Sequence, residues 1–136
     1  MKKMRNDRIG LINRKTKETN IKLELNLDGS GQTKINTGIG FLDHMLDLFS
    51  FHGLFDLKLK CEGDLEIDSH HTTEDIAISI GMAFSEAVAE SKNIYRYGHS
   101  YVPMDETLVR TVLDFSGRPE FVFSGEFTQA MIGHLD

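Results

Sequence analysis

An α+β fold is predicted from three features of the 136-residue sequence. The hydrophobic period switches from two residues to about 3.6 and back more than once along the chain. The resulting order is strands, helix, strand, helix, then strands again. Short phrases also recur in the same order in both halves, which points to an internal duplication.

The elements follow in order. Residues Ile9 to Thr16 and Asn20 to Leu27 read as strands; in the second, Ile21, Leu23, Leu25 and Leu27 alternate with Lys22, Glu24 and Asn26. Asp28-Gly29-Ser30-Gly31 is a turn, and Gln32 to Asn36 returns as a third strand. In GIGFLDHMLDLFSFHG, Phe41, Met45, Leu48 and Phe49 stand at helical spacing, with Gly53 as the C-cap. Phe55 to Cys61 alternates as a strand. From Ser69 to Glu90, the apolar set Ile76, Ile80, Ala83, Phe84 and Val88 marks a long amphipathic helix. Glu106 to Asp114 and Glu120 to Phe127 read as strands. The methionines and phenylalanines fall mostly on apolar faces and are assigned to the core.

The duplication rests on two phrase pairs. LDGSG at Leu27 to Gly31 resembles LDFSG at Leu113 to Gly117, and IGFLD at Ile39 to Asp43 resembles IGHLD at Ile132 to Asp136. The pairs are spaced by 12 positions in the first copy and 19 in the second, an insertion of seven residues. The halves are then 1–91 and 92–136 of a single domain spanning 1–136, with the second copy cut off before its counterpart of His44. Its helix, strand and second helix, about 47 residues by analogy with His44 to Glu90, are expected to be missing.

Bulk properties narrow the function classes. A net charge of −6 and a pI near 5.5 argue against nucleic acid or an anionic membrane as partner. The single cysteine, Cys61, leaves no intrachain disulfide and suits a reducing compartment. MKKMRNDRIG lacks the apolar run of a signal peptide, and no later segment is long enough to span a bilayer. Cytoplasm is the expected location.

The chemistry concentrates in Asp68-Ser69-His70-His71-Thr72-Thr73-Glu74-Asp75. On a helix, His70 and Glu74, and His71 and Asp75, are i, i+4 neighbours, whereas His70 and His71 diverge by about 100°. Imidazole plus carboxylate at that spacing is how one helix offers two ligands to one metal ion. The divergence then assigns the two histidines to different ions, with Glu74 on one of them. The competing reading is plain helix chemistry: Asp68 or Ser69 as N-cap, Glu74 and Asp75 complementing the positive terminus, and solvated histidines.

Other candidates have weaker settings. His44 follows Asp43, a suitable orienter for a ligating imidazole, although a core histidine bonded to a carbonyl is the alternative. His52 lies at the helix end, where it can also serve as a cap. His99 and His134 have no comparable context. Arg96 in NIYRYG and Arg118 in SGRP stand at turns where a guanidinium can grip phosphate, or can simply be exposed. Glu18 in RKTKET reads from its context as a loop carboxylate paired with Lys15 or Lys17.

Taken together, NRKTKET, GIGFLDHML with His52 following, DSHHTTEDIAISIG, IYRYG, PMDETL and LDFSGRP closely resemble the imidazoleglycerol-phosphate dehydratase family of histidine biosynthesis. The resemblance covers essentially the whole chain. It implies an internally duplicated α+β fold in which each half is a four-stranded sheet backed by helices, of the ribosomal protein S5 domain 2-like type, with the second half incomplete here. It also implies homo-oligomers of 24 chains with manganese sites between subunits, two Mn2+ per active site, although imidazole and carboxylate ligands suit zinc or iron as well. His44, His70, His71 and Glu74 become metal ligands. Glu18, His44, His52, His70, His71, Glu74, Arg96 and Arg118 become substrate contacts, with the arginines on phosphate.

The implied substrate, imidazole glycerol phosphate, has no carbonyl beside the departing hydroxyl. Its ring must act as electron sink through an imidazolate, and the product is imidazole acetol phosphate. Glu18, a carboxylate outside the ligand set, is the implied proton-transfer group. The family's second HHxxE helix and its Ser/Lys phosphate contact have no counterpart in this sequence, so the chain by itself is expected to bind metal weakly and to lack turnover. Two other readings compete: a metal-dependent phosphohydrolase, and a truncated non-catalytic subunit.

Overall fold

The computed structural model describes residues 8–89 and 94–135. These form β1 (Ile9–Lys15), β2 (Thr19–Asn26), β3 (Thr33–Asn36), α1 (Gly40–Gly53), β4 (Asp56–Gly63), α2 (His70–Val88), β5 (Tyr97–Met104) and β6 (Thr107–Asp114). The chain divides into two compact units, Met1–Ser91 with Thr128–Asp136, and Lys92–Phe127.

In the first unit the strands form one sheet in the order β1-β2-β4-β3, antiparallel except for the parallel β3-β4 pair. The alternation in β2 and β4 sets the register, placing Ile21 opposite Cys61, Leu23 opposite Leu59 and Leu25 opposite Leu57. All six are buried, and with Ile12, Phe55, and Ile76 and Ala83 of α2 they make the core. Each such aliphatic side chain contributes roughly 1.5–3 kcal/mol on burial. Lys22, Glu24, Lys58 and Lys60, one position out of phase, are left off this core. Burial also pushes the Cys61 thiol up to about 11, reinforced by the negative charges of Asp75 and Glu62, so it stays protonated at neutral pH.

The helix α1 starts where Thr37 and Asp43 brace each other. The Asp43 carboxylate accepts the Thr37 N–H at 2.9 Å and its hydroxyl at 2.6 Å, while Thr37 Oγ1 accepts the Ile39 N–H at 3.1 Å. Its end differs from expectation. Gly53 is the last helical residue, and the left-handed position falls on Leu54 with φ of 58°. The Phe55 N–H then reaches Ser50 O at 3.3 Å, closing the terminus with a residue the sequence did not mark for it.

The second unit is a β5-β6 hairpin followed by irregular chain. Its first strand, Tyr97–Met104, carries no strand signal in the sequence, because Pro103 and the small polar residues break the alternation. The strand expected at Glu120 to Phe127 is absent; those residues make no ladder and are exposed. The helix predicted to reach Glu90 ends at Val88, and Glu90 and Asp136 lie outside the described residues.

The two hairpins share a device. Arg8, just before β1, forks onto Asp28 through Nε at 3.1 Å and Nη2 at 2.9 Å. Arg96, just before β5, forks onto Asp114 through Nε at 2.6 Å and Nη2 at 3.1 Å. Gly31 and Gly117, which close the LDGSG and LDFSG turns, both have positive φ, 87° and 73°.

The expectation for methionine and phenylalanine is corrected. Phe55 is buried, but Phe49, Phe51, Phe121, Phe123, Phe127, Met45, Met82, Met104 and Met131 are exposed. Their helical or strand spacing identified an apolar face without identifying what covers it.

Candidate active site

The histidine pair opens α2 because Asp68 caps it: the carboxylate accepts the His70 N–H at 2.8 Å. This is the bland half of the sequence reading, and it holds for Asp68. Ser69 occupies the N-cap position but makes no side-chain cap bond.

Beyond the cap, imidazoles and carboxylates pair at the start of α2. His70 Nε2 stands 3.4 Å from Glu74 Oε2, the i, i+4 pair expected, and both side chains are more than half exposed. The His70 and His71 rings diverge, with centroids 5.7 Å apart and planes at 70°. His71 Nδ1 is held at 2.8 Å by Asp64 Oδ2, from the turn after β4. That bond raises the His71 pKa; partial dehydration opposes it, and the charges of Asp64, Glu18 and Asp68 add to it. Asp64, absent from the sequence reading, thus fixes the ring's orientation and leaves Nε2 for a ligand. Its other oxygen is buried without a hydrogen-bond partner among the described residues.

Glu18 lies in the tight turn between β1 and β2. The Thr16 N–H donates to Thr19 O at 2.9 Å, and Thr16 Oγ1 accepts the N–H groups of Glu18 at 3.2 Å and Thr19 at 2.9 Å. The Glu18 carboxylate is exposed, close enough to influence His71 electrostatically, and makes no ion pair with Lys15 or Lys17 among the described contacts. The signal for this geometry was a Thr on either side of Lys17-Glu18, a pattern suited to hydroxyl-to-backbone bonding.

Two expectations are corrected. Asp75 offers nothing to His71; it faces inward, with Oδ1 at 2.6 Å from Arg14 Nη1 and Oδ2 accepting the Thr19 hydroxyl at 2.5 Å and the Thr16 hydroxyl at 3.3 Å. Asp43 does not orient His44, because its carboxylate is occupied by Thr37. His44 itself is exposed on α1, so the core-histidine alternative fails as well. His52 is exposed in the last turn of α1, edge-on to Phe51 at 5.2 Å.

The arginines belong to the second unit. The Arg96 guanidinium is spent on Asp114 and on the face of Tyr97 at 5.0 Å. Arg118 is exposed in the turn after β6, where its N–H donates to Ser116 Oγ at 3.3 Å. With Asp114, Ser116 and Glu120 it lines an open groove of about 920 Å³.

The donors suit a divalent metal in kind: open imidazole nitrogens, one carboxylate in reach, and a histidine oriented from behind by a carboxylate. Among the described residues, however, no three His, Cys, Asp or Glu side chains gather around one point. The imidazoles and carboxylates stand as the pairs His70–Glu74 and His71–Asp64.

The family profile of imidazoleglycerol-phosphate dehydratase matches residues 37–136. The imidazoleglycerol-phosphate dehydratase of Herminiimonas arsenicoxydans is 54% identical over 133 residues, covering 98% of this chain and 67% of that protein. The protein of the same name from Hydrogenovibrio crunogenus is 58% identical over 125 residues, 92% of this chain and 64% of its own length. The chain thus spans about two thirds of the curated relatives it matches. Among solved structures, the Staphylococcus aureus imidazoleglycerol-phosphate dehydratase superposes with a TM-score of 0.81 at 40% identity, covering 94% of this chain and 70% of that one. The enzyme from Pyrococcus furiosus, solved in complex with (S)-C348, gives 0.72 at 34% identity, with 90% and 64% covered. The duplicated hairpins, the HHTTED helix and these likenesses agree, and the chain belongs to the imidazoleglycerol-phosphate dehydratase family.

Proposed function

We propose that this chain forms part of a hydro-lyase site that converts imidazole glycerol phosphate to imidazole acetol phosphate in histidine biosynthesis. The carrying observation is the start of α2, where His70 pairs with Glu74 and His71 is clamped by Asp64 with the Glu18 charge nearby. His44, His70, His71 and Glu74 would hold divalent metal, with two Mn2+ per site as the family resemblance suggests. Such ions supply Lewis-acid stabilisation of negative charge on the substrate ring.

This chain's own residues do the rest. Asp64 keeps the His71 ring in one tautomer, with Nδ1–H donated to the carboxylate. Glu18, exposed in a hydrogen-bonded turn, transfers a proton as the C3 hydroxyl is lost as water. Arg118, and Arg96 once released from Asp114, grip the phosphate. His52, exposed in the last turn of α1, would contact substrate as the family resemblance implies. Apolar side chains left exposed on the helices, among them Leu48, Phe49, Phe51 and Met82, support burial against further copies, in the manner of a 24-chain homo-oligomer. No helix among the described residues is long and apolar enough to cross a membrane.

The test incubates imidazole glycerol phosphate with this chain, and with the chain extended to the length of its relatives, in the presence of Mn2+. Ketone formation by the extended protein supports the reading. Release of inorganic phosphate without ketone would overturn it in favour of a phosphohydrolase. Neither product from the extended protein would leave the non-catalytic subunit.

A further inference from the structure

Asp75 is buried, 9% exposed, on the sheet-facing side of α2. A carboxylate in that position must be matched by donors, and three are supplied from one place in the chain. Arg14 comes from the end of β1, and Thr16 and Thr19 bracket the turn that follows. Thr19 is itself 3% exposed, so its hydroxyl has no alternative in solvent. The same Thr16 oxygen that donates to Asp75 accepts the Glu18 and Thr19 N–H groups. The position of the Glu18 backbone is therefore set by a carboxylate on a different element. Asp75 follows Glu74 directly and lies one turn beyond His71, a rise of about 6 Å along a stiff helix. A shift of the turn relative to α2 would move Glu18 relative to His70, His71 and Glu74.

We infer that Asp75 is a positioning residue: through Thr16, Thr19 and Arg14 it locks the Glu18 turn to the helix that bears the histidine pair. This rests on the reading of Glu18 as the proton-transfer group, and it adds the element that sets where Glu18 stands. A carboxylate on a free turn would sample many positions, whereas proton transfer needs hydrogen-bond reach of the reacting atom.

The test uses Asp75→Asn and the near-isosteric Thr16→Val, which removes the bridging hydroxyl but keeps the Arg14–Asp75 pair. Amide hydrogen exchange at Thr19, read by NMR on the 136-residue chain, is expected to quicken about 10-fold or more in each. The Leu57 amide, bonded to Gln32 O at 2.9 Å, serves as control and stays within about twofold. Thr16→Ser, which keeps the hydroxyl, is expected to restore Thr19 protection. Because Thr16→Val also removes the acceptor of the Thr19 N–H, Asp75→Asn decides: unchanged Thr19 exchange in that variant, or loss at Leu57 to the same degree, overturns the tie. In the extended protein, Thr16→Val is expected to lower kcat about 10-fold at unchanged KM, with no further loss when added to Glu18→Gln. Multiplying losses would mean that Asp75 acts by a route other than Glu18, and would overturn the inference. Full turnover in Glu18→Gln alone would instead remove Glu18 from the chemistry, while the exchange result still decides whether Asp75 holds the turn.

Discussion

Replacing Gly10 by alanine tests how closely β1 must approach α2. Gly10 lies in β1 opposite Leu25, buried beneath the helix. A Cβ placed there would meet Ala83 O at 2.1 Å, Ala83 C at 2.7 Å and Ala83 Cα at 2.8 Å. Carbon atoms normally sit about 3.5–4.0 Å apart, so β1 and α2 would have to separate by more than about 1 Å. Every obstructing atom is backbone, and no rotamer change relieves it. Overpacking usually costs about 1–3 kcal/mol, and this case belongs at the upper end. For a unit of this size, about 3 kcal/mol corresponds to a fall in Tm of roughly 12–24 °C. The assay is thermal or urea unfolding of Gly10→Ala alone and combined with Ala83→Gly. Because the clash is with backbone, Ala83→Gly should give no recovery. A loss below about 1 kcal/mol, or clear rescue by Ala83→Gly, would refute the close β1–α2 approach.

Four further outcomes follow from the site. In the extended protein, Glu18→Gln should retain metal while turnover falls by roughly 100-fold or more; steady-state kinetics beside metal analysis checks both. Asp64→Asn should weaken metal affinity by about 10–100-fold with the fold intact, since the His71 ring loses its orienting carboxylate; a metal titration monitored by calorimetry decides it. Arg118→Ala should weaken binding of the phosphate-bearing substrate and leave a dephosphorylated analogue indifferent, whereas equal losses would assign Arg118 to the fold. Burial pushes the Asp75 carboxyl up, but the Arg14, Thr19 and Thr16 bonds outweigh it and hold the group below its ordinary 3.8. Its stabilisation is therefore present above that value and lost as pH falls through the folded pKa, so acid unfolding should be less steep in Asp75→Asn than in the native chain.

Sequence alone determined the elements whose signal is a local repeat. The alternation in β2 and β4 named both strands and their buried faces, because a half-buried strand must alternate every two residues. Helical spacing likewise located α1 and α2, and the adjacency of His70 and His71 on a helix dictated their divergence. The repeated LDGSG and LDFSG turns were legible because both need a glycine with positive φ. The tertiary structure decided what depends on partners distant in sequence. Whether Asp75 is a ligand or a buried clamp depends on Arg14, Thr16 and Thr19, brought under α2 by the β1–β2 hairpin. Asp64 acquires its role only because the chain leaving β4 lays it against His71. Tyr97–Met104 forms a strand because β6 pairs with it, despite its own broken pattern. Periodicity fixes which face a residue occupies, whereas burial and charge pairing are properties of whatever lies across that face.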